Sequence, residues 1–258
     1  MTDRKTNPAA DHPVDLGAFL AGASIDAAVA TLRPDYRALL IAVDGLDPHA
    51  NRAGSEALLV RAGETARDLL AETRVEELPH VAAWRDAYRA FGAKPQRTRN
   101  SLEALTRRAD PAGSGLPRVN ALADLYNAIS VIHQVPVGGE DLAAYVGSPR
   151  LICAVGDEPF DTTANGETVV EHPDAGEVVW CDDVGVTCRR WNWRQGRRTQ
   201  LTDETTSALF ILDALEPMSE GALAAAGEEL VTHLRQLGDD VGVATHLVTT
   251  STPAQEHP

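Results

Sequence analysis

The sequence predicts an α+β fold with a mixed β-sheet core and surrounding helices. Three observations carry this. Four long stretches follow the helical period, within 55–72, 79–91, 117–134 and 220–237. Short β-rich runs at 36–43, 177–188, 206–215 and 241–250 stand between them without a regular βαβα alternation. No G-x-G-x-x-G or P-loop is present, so nucleotide chemistry has no support in the motifs.

Residues 1–14 are polar and read as a disordered tail, as does the segment 251–258; residues 15–250 read as one unit. Asp15 to Leu32 is compatible with a helix or with a strand and its turn. Tyr36 to Val43 is an apolar run between Pro34 and Asp44-Gly45, predicting a buried strand. From Ser55, the spacing of Leu58, Leu59, Ala62, Ala66, Leu69 and Leu70 predicts a helix. A second helix runs from Pro79 to Phe91 with Val81, Trp84, Ala87, Tyr88 and Phe91 inward, and Gly92 ends it. Lys94 to Asn100 is a basic loop, and Asn100 or Ser101 caps a short helix reaching Arg108. A Gly/Pro/Ser turn leads to Pro117.

The helix expected from Pro117 to about Gln134 is the centre of the chain. Leu122, Leu125, Ile129 and Ile132 form its apolar stripe, with Asn120, Asp124 and Asn127 on roughly the opposite side. Val137-Gly138-Gly139-Glu140-Asp141 reads as a turn, whose acids suit the cap of a short helix at 142–146. Leu151 to Val155 predicts a strand, and 161–173 a hairpin or surface loop. Glu177–Cys181 and Val184–Cys188 predict a hairpin around Asp182-Asp183. Thr206 to Leu215 is strand-like with helix as the alternative. Glu220 to Leu237 is an amphipathic helix ending at Gly238, and Val241 to Thr250 is the last strand.

A chain of 258 residues can bury a substantial core. The formal net charge of -15 opposes strong non-specific nucleic-acid binding, DNA included, yet leaves room for a local basic groove. Lys5 and Lys94 are the only lysines, so positive charge is almost all arginine, the better fork for phosphate or carboxylate. Cys153, Cys181 and Cys188 are an odd count without C-x-x-C spacing, which reads as buried reduced thiols, with no metal site. The absence of a signal-peptide pattern and of any apolar run near ~20 residues points to a cytoplasmic protein with no membrane partner.

Two constellations suit binding. The Asn120/Asp124/Asn127 row offers amide donors and acceptors and a carboxylate, as an amino-acid-like or polyhydroxy ligand needs. The competing reading is that these side chains cap neighbouring backbone. Thr187 to Thr199 concentrates Arg189, Arg190, Arg194, Arg197 and Arg198 around Trp191 and Trp193, which suits phosphates and stacked bases. Its competing reading is a half-buried strand whose arginines pair with surplus acids. Lys94, Arg97 and Arg99 would extend a basic patch if the fold brings them near. Gly138 and Gly139 allow close approach of backbone to a ligand, or a tight turn. No histidine has a Ser or Cys partner in a nucleophile motif, and His133 reads as structural, so no catalytic residue is assigned. No cofactor is read.

Several blocks in order carry a resemblance across roughly 93–248. They are Lys94-Pro95 with Arg97 and Ser101 to Leu105, and Leu116 to Asn120 with Asp124 and Asn127. Pro136 to Asp141, Gly176 to Trp180, and Arg190 to Arg194 continuing through Thr199 complete them. The chain resembles the B3/B4 domain of the bacterial phenylalanyl-tRNA synthetase β-subunit, standing alone. The resemblance implies an α+β unit with a pocket that, in the synthetase, hydrolyses tyrosine mischarged on the phenylalanine tRNA. It implies a trans-editing aminoacyl-tRNA deacylase with tRNA or aminoacyl-tRNA as partner. Asn120, Asp124, Asn127, Gly138, Gly139, Arg190, Trp191 and Arg194 would meet the substrate, and Lys94, Arg97, Arg99, Arg197 and Arg198 the nucleic acid. The alternatives are a non-catalytic module for an amino acid or tRNA end, and a protein-interaction domain. Gly138 stands where the synthetase domain has its pocket histidine, and that domain's pocket glutamate falls near Asp182 or Asp183. At these two positions the chain departs from the pattern on which the synthetase's own editing chemistry rests.

Overall fold

The computed structural model describes residues 15–47, 50, 53–110 and 112–250. The two expected disordered tails lie outside the described residues.

The ambiguous start resolves into helix α1 (Leu16–Ala21), strand β1 (Ser24–Ile25) and helix α2 (Ala27–Leu32). Strand β2 (Arg37–Asp44) follows, then α3 (Ala53–Leu69), α4 (Pro79–Ala90), α5 (Ser101–Ala109) and α6 (Ala121–His133). Next come β3 (Val137–Asp141), β4 (Arg150–Cys153), β5 (Phe160–Ala164), β6 (Glu167–Glu171), β7 (Val178–Cys181), β8 (Val186–Arg189), β9 (Arg194–Gln195) and β10 (Ala208–Ala214). Helix α7 (Glu220–Leu234) and strand β11 (Gly242–Thr249) close the chain. The expected hairpins are the pairs β5–β6 and β7–β8. Thr206 to Leu215 settles as strand, because β10 is central to its sheet and every residue from Ala208 to Ala214 is buried. Among the described residues no helix is long and apolar enough to cross a membrane.

One sheet has the order β11-β2-β10-β3, with its neighbouring strands antiparallel. Strand side chains alternate between faces, and the core divides accordingly. Ile41, Val43, Phe210 and Leu212 point to one face, where α3, α6 and α7 supply Leu58, Ile129 and Leu230. Ala38, Leu40, Leu209 and Ile211 point to the other, joining Leu20, Trp84, Tyr88, Trp180 and Trp191. A second sheet, β1-β4-β7-β8-β9, covers that side. The result is helices, sheet, then a layer of helices and second sheet, an α+β arrangement.

Two sequence readings are corrected. Gly138-Gly139 is not a turn: both lie in β3, paired with Ile211 and Phe210 of β10. A glycine is required at 139, because an added Cβ would come within 2.9 Å of the Tyr126 ring and 2.7 Å of Leu201 Cδ1. The second correction concerns the polar row of α6, which does not oppose a buried stripe: Asn120, Asp124 and Asn127 are themselves buried, since α6 has neighbours on most sides.

Candidate functional site

The row on α6 divides by task. Asn120 is the N-cap; its side-chain oxygen accepts from the Ala123 amide at 2.8 Å, and its amide nitrogen donates to the Leu201 carbonyl at 3.2 Å. The Asp124 carboxylate accepts from the Val119 amide at 2.7 Å and fastens the segment entering the helix. Both therefore do the capping work that was the competing reading. Asn127, one turn further, lines a cavity, and its side chain makes no hydrogen bond within the described residues.

That cavity has a volume of about 300 Å³, at the lower end of what small-molecule pockets enclose. Its walls come from five places in the chain, one of them Pro117 in the segment leading into α6. Helix α5 contributes Ser101, Ala104, Leu105 and Arg108, and α6 contributes Tyr126 and Asn127. Val137 and Gly138 come from β3, and the β8–β9 hairpin brings Cys188, Asn192, Trp193 and Gln195. Gly138 leaves room: Gln195 Nε2 lies 3.3 Å from where a Cβ would stand, and that amide donates to the Gly139 carbonyl at 2.7 Å. Gln195 thus lies over the position that a side chain at 138 would enter. Ser101 Oγ is buried without a partner among the described residues, an acceptor and donor left for a guest.

Arginines border the cavity. A second depression of about 440 Å³ is lined by Arg97, Arg99, Arg107 and Arg108 with Ala104, Ser114 and Trp193. Ala104, Arg108 and Trp193 belong to both hollows. The ledge keeps a surplus of positive charge after its own pairing. The buried Glu103 accepts from Arg85 at 2.7 Å and Arg107 at 3.1 Å, with Arg99 3.6 Å away, and Glu76 holds Arg107 at 2.6 Å. Asn100, whose oxygen caps α5 through the Glu103 amide at 2.9 Å, fixes where that helix begins.

Beyond Trp193 lies a polar cleft lined by Lys94, Arg97, Thr98, Asp174, Glu177 and Arg190. Arg190 donates to Thr98 Oγ1 at 2.5 Å, and its guanidinium sits 4.6 Å from the Trp193 ring centroid. Lys94 and Arg97 join this cleft, while Arg99 stays on the ledge. Arg197 and Arg198 belong to neither hollow: Arg197 pairs with Asp161 at 3.0 Å and Arg198 with Asp182 at 2.7 Å. Asp182, in turn, accepts from the amides of Val146, Val184 and Gly185, so it fixes the β7–β8 turn. Arg194 reaches Thr162 at 2.6 Å and the rim of Trp193.

Trp191 is not a cavity wall. It is fully buried, with Tyr36 at 5.0 Å and Trp84 at 5.3 Å between ring centroids. Alternation along the Arg-Trp-Asn-Trp-Arg stretch is broken because Arg190 and Trp191 both take positive φ, 47° and 66°. This kink sends Trp191 inward and leaves Trp193 as the wall. Trp193 was visible among the arginines; Ser101, Tyr126, Asn192 and Gln195 gave no signal beyond their place beside flagged residues.

Burial governs the titrating groups near the cavity. It pushes the Cys188 thiol well up, so Cys188 is no thiolate nucleophile. Tyr126 is likewise held as a phenol. Asp213 is raised by burial to about 7; it accepts from Tyr36 at 2.5 Å and from Asn192 Nδ2 at 3.4 Å, and so supports the cavity from behind. Glu140, raised by burial to about 7, accepts from the Tyr145 hydroxyl and does not line the cavity.

A family model described as B3/4 domain matches residues 83–225, more than half of the chain. No curated protein matches. Among solved structures, an N-terminal fragment of the phenylalanyl-tRNA synthetase β-subunit from Pyrococcus horikoshii aligns with a TM-score of 0.43 at 12% identity. The alignment covers 86% of this chain and 49% of that one, so this chain spans about half the length of that structure.

Proposed function

Because the chain belongs to the B3/4 domain family, we propose that it receives the aminoacylated end of a tRNA and hydrolyses the ester there. The amino acid enters the cavity and the acceptor strand lies on the arginine ledge. One observation carries this reading: the cavity and the ledge share Ala104, Arg108 and Trp193, so a ligand lying across that boundary meets a half-open, largely apolar hollow and a cationic surface at once. Leu105, Pro117, Tyr126 and Val137 offer an apolar lining, while Ser101, Asn127 and Gln195 offer hydrogen bonds. An aminoacyl ester is already activated, so holding a water against its carbonyl supplies much of what hydrolysis requires. Asn127 and Ser101 are the groups placed to hold it.

A second reading, binding without hydrolysis, is favoured by one feature. Among the described residues, Arg108 is the only charged side chain in the cavity lining, and no histidine or carboxylate stands there to act as general base. Deacylation of a panel of mischarged tRNAs, tyrosine on the phenylalanine tRNA included, separates the two. Turnover of one member that Asn127→Ala removes is the result expected of an editing hydrolase. Turnover of none rejects hydrolysis and leaves the binding module.

A further inference from the structure

Strand β11 is the outer strand of its sheet, and its free edge is self-complementary. The Thr250 amide donates to the Tyr36 carbonyl, continuing the ladder that pairs Val248 with Ala38 and Leu40 with His246. In an antiparallel ladder hydrogen-bonded pairs alternate, so the even-numbered residues of β11 bond to β2. Val243, Thr245, Leu247 and Thr249 therefore turn their N–H and C=O groups outward. None of them has a further partner among the described residues. The usual protections of an edge are missing too: GVATHLVT contains no Lys, no Pro and no acid.

The side chains of the same four residues point to the α7 face. There a groove of about 440 Å³ runs between α7 and the sheet, with Leu39, Ile41, Val231, Val243 and Thr245 in its lining and Glu228 and Arg235 of α7 and its C-terminus among its walls. Gly227 brings the helix close to the sheet, since an added Cβ would come within 2.5 Å of Leu39 Cδ2. Beside the groove stands Leu247, a large apolar side chain 41% exposed.

We propose that two copies of the chain join edge to edge, β11 antiparallel to β11, with Leu247 of each copy entering the α7–β11 groove of the other. The register is set by the outward groups. Pairing Thr245 with Leu247 and Val243 with Thr249 engages all four residues on both strands, around a two-fold axis at His246. A slip of two residues leaves an end residue unpaired. Opposed residues of an antiparallel pair share a face, so this register lays Leu247 beside the partner's Thr245, at the groove. A second copy also suits the charge. In a chain of net charge -15, the two paired strands themselves bring no carboxylates together, and the groove beside them carries Glu228 and Arg235, one of each sign.

Sedimentation of the full chain tests this, with two variants beside the wild type. Thr245→Pro removes an outward donor but no bond to β2, and Leu247→Glu places a carboxylate at the groove. The wild type is expected at twice the 27.6 kDa chain mass, and both variants at the chain mass with an unchanged far-ultraviolet spectrum. A wild type at the chain mass at its highest soluble concentration overturns the proposal, whether the edge stays open or a tail of the chain covers it. So does a dimer that both variants preserve.

Discussion

The guanidinium of Arg190 lies 4.6 Å from the ring centroid of Trp193, and the same side chain donates to Thr98 Oγ1 at 2.5 Å. Arg190 thereby props the wall that separates the cavity from the polar cleft, and ties it to the loop entering α5. A stacked, partly desolvated cation of this kind contributes about 1–2 kcal/mol. Arg190→Ala is expected to lower stability by about that amount and to weaken ligand binding at the cavity about tenfold. Arg190→Lys should restore little, because a point charge cannot both lie over the ring and reach Thr98. Denaturant titration and ligand titration of the two variants check both halves.

Asn120 and Asn127 should separate structure from binding. Loss of the cap in Asn120→Ala costs about 1–2 kcal/mol, seen as a lower urea midpoint. Asn127 has no side-chain hydrogen bond to lose among the described residues, so Asn127→Ala should leave that midpoint nearly unchanged and reduce ligand affinity.

Ser101→Ala removes a hydroxyl that is buried without a partner. Stability should change by less than about 0.5 kcal/mol or rise, whereas affinity for a ligand that uses the hydroxyl falls several-fold. Comparing melting curves with and without ligand reads both effects.

Glu140 gives the protein a pH dependence of known sign. Burial raises its pKa in the folded chain from the ordinary 4.5 to about 7, so the folded state holds its proton more tightly than the unfolded one. Its contribution to stability is greatest below 4.5 and is lost as pH rises through 7. Between those limits Glu140→Gln should gain on the wild type by about 3 kcal/mol, measured from urea midpoints at a series of pH values.

His80 works in the opposite direction. Nδ1 donates to the Gln134 carbonyl at 2.7 Å and Nε2 accepts from the Leu215 amide at 3.0 Å, a neutral imidazole fixed at both nitrogens. Burial lowers its pKa from 6.5 to about 4. Stability from this residue is full above 6.5 and declines by about 3 kcal/mol as pH falls to 4. In His80→Gln this contribution is absent, so the stability of the wild type relative to that variant should fall by about 3 kcal/mol between pH 6.5 and 4.

Helices and strands with strong periodicity were legible in the sequence: α3, α4, α5, α6 and α7, and strands β2, β7, β8 and β11, lie within a few residues of their expected positions. Gly138-Gly139 was misread because glycine pairs signal turns locally, whereas their pairing with β10 is a long-range contact that no local pattern carries. The site was legible only in part. Asn127 and the basic loop from Lys94 to Arg99 do border the hollows, but Trp193 stands in exchange for Trp191 as the cavity wall, and Trp191 is buried in the core. That exchange follows from two consecutive residues at positive φ, a backbone choice that Arg and Trp do not announce. Ser101, Tyr126 and Gln195 stand on three different elements, and folding alone gathers them.

The most direct test of the central claim is the affinity of one tRNA in its charged and uncharged forms, measured at low salt for the wild type and for Asn127→Ala. If the cavity holds the amino acid while the ledge holds the acceptor strand, the charged form binds more tightly to the wild type. That advantage disappears in Asn127→Ala, and both affinities fall with added salt. Equal affinity of the wild type for the two forms, or none for either, would contradict the assignment.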